Sequence, residues 1–154
     1  PLPVLPHRRL DVSTQGAKNR RRGHDAERTV VNYLRANGWP DARRYLSGDG
    51  RQPGDVDWHP TITLEVKDRA SSAWPSWCRQ AAEEAPEGTV PAVVRRTRGV
   101  ADAGLWPCRV RLHFDSDGEI LPRLMATSAG FVDGQVWVVC TLRDLAMEVA
   151  RAQS

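Results

Sequence analysis

The chain reads as an α/β protein with a mixed central sheet flanked by helices. Helix-period apolar positions near both ends predict this class, together with strand-like runs between them. A further helical segment separates two of those runs, as a crossover between strands would. The order is helix, three strands, helix, strand, strand, helix.

Residues 1–19 hold three prolines and little periodicity, so they are expected as a loose, basic N-terminal arm before a single domain over 20–154. From His24 to Asn37, Ala26, Val30, Val31 and Leu34 recur at helical spacing, and Asn37-Gly38 followed by Pro40 supplies the stop. Asp41–Leu46 is the first expected strand, followed by a turn at Ser47-Gly48-Asp49-Gly50. A short strand at about Asp55–Trp58 turns at His59-Pro60 and returns through Thr61–Lys67. Alternation there sets Ile62, Leu64 and Val66 on one face and Thr63, Glu65 and Lys67 on the other. Ser72–Ala85 is the second helix, with Pro75 tolerated in its first turn. Pro91–Arg96 and Val136–Thr141 read as strands, and Leu142–Ala152 as the closing helix. Between Thr97 and Gly134, Cys108–Phe114 alternates like a strand and Asp115–Gly118 suits a hairpin turn, so 97–134 is expected as an inserted β-hairpin region.

At 154 residues the chain suits one domain with a substantial core. No apolar run approaches a membrane span, and no secretory pattern opens the sequence. Cys78, Cys108 and Cys140 lack metal-site spacing and read as buried free thiols in a reducing compartment, hence a cytoplasmic location. The net charge is only +3, but arginine clusters at Arg20-Arg21-Arg22, Arg43-Arg44 and Arg95-Arg96-x-Arg98. Basic clusters alternating with acidic spots fit an enzyme acting on nucleic acid, where phosphates need cations and metals need carboxylates.

Only two lysines stand against twenty arginines, and one of them, Lys67, ends the run Leu64-Glu65-Val66-Lys67. An ammonium responds to desolvation in a way that guanidinium does not. Asp55 and Glu65, on neighbouring strands of a tight β-turn-β unit, could converge on one Mg²⁺, which prefers oxygen donors and keeps several waters. Lys67 could then orient the attacking water or neutralise charge on the phosphoryl group. Glu27 borders the apolar stripe of the first helix and needs a partner there. Asp57 shares a strand face with Asp55 and is an alternative ligand. His24, His59 and His113 have no metal spacing and read as structural.

Gly23-x-x-x-Glu27-Arg28, Gly54-Asp55 and Leu64-Glu65-Val66-Lys67, taken together, resemble the PD-(D/E)xK nuclease superfamily, most closely its archaeal and bacteriophage Holliday-junction resolvases. Further points of likeness are Trp74, Trp77 and Gln80 on the next helix and Val93-Val94-Arg95-Arg96 on the strand after it. The resemblance covers roughly 20–98 and the last strand and helix. It implies a restriction-endonuclease-like core and a homodimeric, Mg²⁺-dependent endonuclease, with Mn²⁺ as a substitute, that resolves four-way DNA junctions in recombination or phage DNA processing. Its setting would be a bacterial cell or a phage within one. Glu27, Asp55 and Glu65 would bind metal, Lys67 would assist the water, and Gln80 and Ser47 would support the site. Arg20, Arg21, Arg22, Arg43, Arg44, Arg51, Arg95 and Arg96 would hold DNA phosphates. The alternatives are a nuclease of the same fold acting on duplex or flapped DNA, and a catalytically silent DNA-binding module. The arm and the 97–134 stretch depart from the family pattern.

Overall fold

A computed structural model of the protein describes residues 12–46, 54–112 and 128–154, with only the backbone described at 12 and 13. The first eleven residues of the expected arm, Ser47, Arg51, His113 and the expected turn at 115–118 lie outside the described residues. Among the described residues seven strands form one mixed sheet: β1 (Arg43–Arg44), β2 (Val56–Asp57), β3 (Ile62–Lys67), β4 (Val90–Arg95), β5 (Pro107–Arg111), β6 (Ser128–Val132) and β7 (Gln135–Thr141). Their spatial order is β1-β2-β3-β4-β5-β7-β6. Only β3 and β4 run parallel, joined by the crossover helix α2 (Trp74–Glu84); every other neighbour pair is antiparallel.

Alternation along the central strands separates two cores. Ile62, Leu64 and Val66 of β3, Ala92 and Val94 of β4, Cys108 and Val110 of β5, and Val138 and Cys140 of β7 face one way. They pack against Ala26, Val30, Val31 and Leu34 of α1 (Val12–Ala36) and Leu142, Leu145, Ala146 and Val149 of α3 (Leu142–Ala152). On the opposite face Val93, Val132 and Trp137 meet Trp77, Cys78 and Ala81 of α2. All three cysteines are free and buried. Among the described residues no helix is long and apolar enough to cross a membrane.

The closing helix spans the expected residues because Thr141 starts it with a reciprocal capping box: its hydroxyl accepts from the Asp144 N–H, and Asp144 accepts from the Thr141 N–H. Three expectations change. The first helix begins at Val12 instead of His24, so residues 12–19 are helical and not a loose arm. Its first turns carry no apolar stripe because they bury almost nothing; periodicity marks only the turns that pack. In the expected insertion at 97–134, the described residues include β5, which lies inside the sheet between β4 and β7, with a 3₁₀ turn (Ala103–Leu105) leading into it. The buried Trp106 and Cys108 make that stretch part of the core. Finally, β6 was not expected at all. It pairs with β7 across the two-residue turn Asp133-Gly134, both at positive φ (50° and 75°), the geometry an Asp-Gly hairpin prefers.

Candidate functional site

β1 and β2 are only two residues long; β1 pairs with β2, and β2 pairs with β3 at Leu64. Beyond that point no strand pairs with that edge of β3 among the described residues, and α1 and α2 both reach it. The result is a cleft of about 310 Å³ whose walls include Glu27, Asp55, Glu65, Lys67, Gln80 and Glu84.

Asp55 is positioned by a close backbone crossing. Gly54 has φ +74°, and a Cβ there would sit 2.8 Å from the Leu64 carbonyl oxygen. Only glycine fits both conditions. The next residue donates its N–H to that same carbonyl at 2.9 Å. Asp55 Oδ2 then accepts the Val66 N–H at 2.7 Å, so a carboxylate continues the ladder where β2 runs out. That bond uses one of its two oxygens.

Glu65 and Lys67 project from the α2 face of β3, as alternation requires. Glu65 is 5% exposed. Burial first, then the neighbouring Asp55 carboxylate, push its pKa up to about 7, against the pull of Lys67. Lys67 Nζ lies 3.4 Å from Glu65 Oε2 and donates to Gln80 Oε1 at 3.2 Å; the Gln80 amide donates to Glu84 Oε1 at 3.0 Å. The amine is thereby held between an acid on its own strand and a relay on α2. From the other side, Asn19, Gly23 and Glu27 line the cleft at four-residue steps along one face of α1. Glu27 is partly buried and accepts from Arg44 Nε at 2.7 Å. Burial raises its pKa while the Arg44 bond opposes the rise.

Glu27, Asp55, Glu65, Lys67 and Gln80 thus come together from α1, the β2 approach, β3 and α2. The alternative ligand Asp57 points elsewhere and is taken by Arg43, with Nε and Nη2 both 3.0 Å from Oδ2. Among the described residues no three His, Cys, Asp or Glu side chains stand grouped as a ready metal-binding set, and Glu27 is paired with Arg44. Asp55 and Glu65 both line the cleft, and the Asp55 charge opposes ionisation of Glu65. Carboxylate oxygens are the donors that a hard divalent cation such as Mg²⁺ prefers.

The expected phosphate contacts divide. Arg43 and Arg44 are engaged with Asp57 and Glu27. Arg95 donates to the Arg69 and Ala70 carbonyls and lies 6.0 Å from the Trp77 ring. Arg96 pairs with Asp68. Arg20, Arg21 and Arg22 are exposed on the polar extension of α1. Sequence reasoning missed Asn19, Glu84 and Asp68. The four-residue steps 19-23-27 on α1 and 80-84 on α2 were available signals for the first two; Asp68 carried none.

Fold and cleft define an α/β protein with a mixed sheet and an acid–amine cleft beside β3. Compared with family models, curated proteins and solved structures, the chain matches none. Any assignment of chemistry therefore rests on the side chains themselves.

Proposed function

We propose that the protein is a metal-dependent endonuclease of the PD-(D/E)xK type with a restriction-endonuclease-like core, acting on four-way DNA junctions as a homodimer. The observation that carries this reading is the convergence of Asp55, Glu65 and Lys67, with Glu27 and Gln80 beside them, on one open cleft. Asp55 and Glu65 would hold the cation. Bound Mg²⁺ would supply Lewis acidity toward a phosphoryl oxygen and a water of lowered pKa.

The protein's own groups do the rest. Burial of Glu65 beside Asp55 creates a site that favours a positive charge. Lys67 adds a donor aimed into the cleft, able to orient the attacking water or to stabilise charge gathering on the phosphoryl oxygens. Gln80 and Glu84 restrain that amine, and Arg44 restrains Glu27. A twofold dimer would present two such clefts to symmetry-related strands of a junction.

The test is cleavage of labelled four-way junction, flap and linear duplex DNA with and without Mg²⁺ or Mn²⁺. Metal-dependent cutting that favours the junction is expected, and Glu65→Gln should abolish cutting while junction binding survives. Equal cutting of all three substrates would reject junction resolution in favour of a duplex or flap nuclease. Binding with no cutting under any metal would leave a silent DNA-binding module.

A further inference from the structure

We infer that a second cleft, beside the acidic one, holds the phosphate next to the reacting one on the same DNA strand, with Arg22 and Arg98 as its free cations and Arg96 as its fixed one. The inference rests on the nuclease reading above and adds the path of the substrate strand.

This second cleft has a volume of about 560 Å³ and is walled by Arg22 and Asp25 of α1, by Asp68 just past β3, and by the segment after β4 that carries Arg96 and Arg98. Asp68 lines both clefts, so they adjoin. Its side chain is only 5% exposed and pairs with Arg96 Nη1 at 3.5 Å. The Arg96 guanidinium also lies 5.9 Å from the centre of the Trp106 ring, so it is held on two sides. Asp25 has its own partner, Arg28, at 3.5 Å. Each carboxylate of the cleft is thus matched by an arginine. Arg22 and Arg98 are exposed and have no partner among the described residues. Arg98 sits in a tight turn, where the Val100 N–H reaches the Thr97 carbonyl at 3.2 Å and Gly99 takes φ +79°.

Two uncompensated guanidinium groups facing one space call for an anion, and their forked donors match phosphate oxygens. Among the described residues the cleft has no aromatic wall on which a base could stack. Its chemistry is therefore that of backbone contact without base readout. Because it opens beside Glu65 and Lys67, a strand whose reacting phosphate lies at the acids would carry its neighbouring phosphate into the arginines.

The test uses the full chain carrying Glu65→Gln, so that binding is read without cleavage. Junction binding is measured by fluorescence anisotropy across a salt series, with and without the added pair Arg22→Ala and Arg98→Ala. Both arginines are exposed and unpaired, so the variant should melt with the parent. With one phosphate released in each of the two clefts of the dimer, the log affinity against log salt slope should flatten by about two. Single methylphosphonate substitutions along the strand should weaken the parent at one phosphate flanking the cut and leave the double variant indifferent there. Arg79→Ala, which removes an exposed arginine paired with Asp133 on the α2 side, should leave the slope unchanged. An unchanged slope in the double variant, equal methylphosphonate penalties in both proteins, or an equal effect of Arg79→Ala would overturn the inference while leaving cleavage by the wild type intact. A wild type that neither binds nor cuts DNA would instead overturn the nuclease reading, and this inference with it.

Discussion

Replacing Glu65 by glutamine should make the metal-free protein more stable at alkaline pH. The folded chain raises the Glu65 pKa from an ordinary 4.5 to about 7, chiefly by burial and then by Asp55. Between those values the folded protein keeps a proton that the unfolded chain has released. Stability therefore falls as pH rises from about 4.5 to about 7 and is level above that range. At about pH 8 the ionised carboxylate costs the folded state about 3 kcal/mol relative to the unfolded chain. Glutamine keeps the shape without the charge. For a domain of this size a gain of about 3 kcal/mol raises Tm by roughly 6–12 °C. The assay is thermal unfolding of wild type and Glu65→Gln in EDTA at about pH 8 and about pH 4, where the gap should shrink toward zero because both chains are then neutral at this position. Adding millimolar Mg²⁺ at the higher pH should raise the wild type and leave the variant where it was. A variant that melts at or below wild type in EDTA at the higher pH would refute the account of Glu65 as a charge held at a cost beside Asp55.

Gly54→Ala should cost about 2–3 kcal/mol in urea unfolding, because the new Cβ combines a left-handed backbone with a 2.8 Å approach to the Leu64 carbonyl; an unchanged midpoint would contradict that crossing. Thr141→Ala should cost about 1 kcal/mol by removing the α3 cap, and Thr141→Ser should recover most of it. The three buried thiols should resist a disulfide reagent in the folded protein and react together on unfolding. Burial pushes Cys78 up to about 11, while a hydrogen bond between Cys108 and Cys140, and then burial, hold Cys108 well above the ordinary range. Fast labelling of any one of them under native conditions would contradict the packing described.

Residues 62–67 show how far local pattern reaches. Period-two alternation was enough to set Glu65 and Lys67 on the face opposite Leu64 and Val66, and the structure keeps that division. Helical period was enough for the packed half of α1 and for α3. The exposed half of α1 was not legible, since a helix that buries nothing leaves no stripe. The β6–β7 hairpin was legible and passed over: Asp133-Gly134 is its signal, and Asp115–Gly118 drew attention in its place.

The sequence by itself determined the local geometry of the cleft: a glycine before Asp55, an acid and an amine two residues apart on a strand, and side chains at four-residue steps on two helices. These follow from backbone sterics and periodicity between near neighbours. Only the tertiary structure decided which charges meet. Arg44 reaches Glu27 across 17 residues, Arg43 takes Asp57 out of contention, and Asp68 is buried against Arg96 from 28 residues away. Those pairings depend on strand order and register. One such choice, the placing of β5 between β4 and β7, turned an expected insertion into the middle of the sheet, because the chain buries Cys108 and Val110 only by threading that stretch through the core.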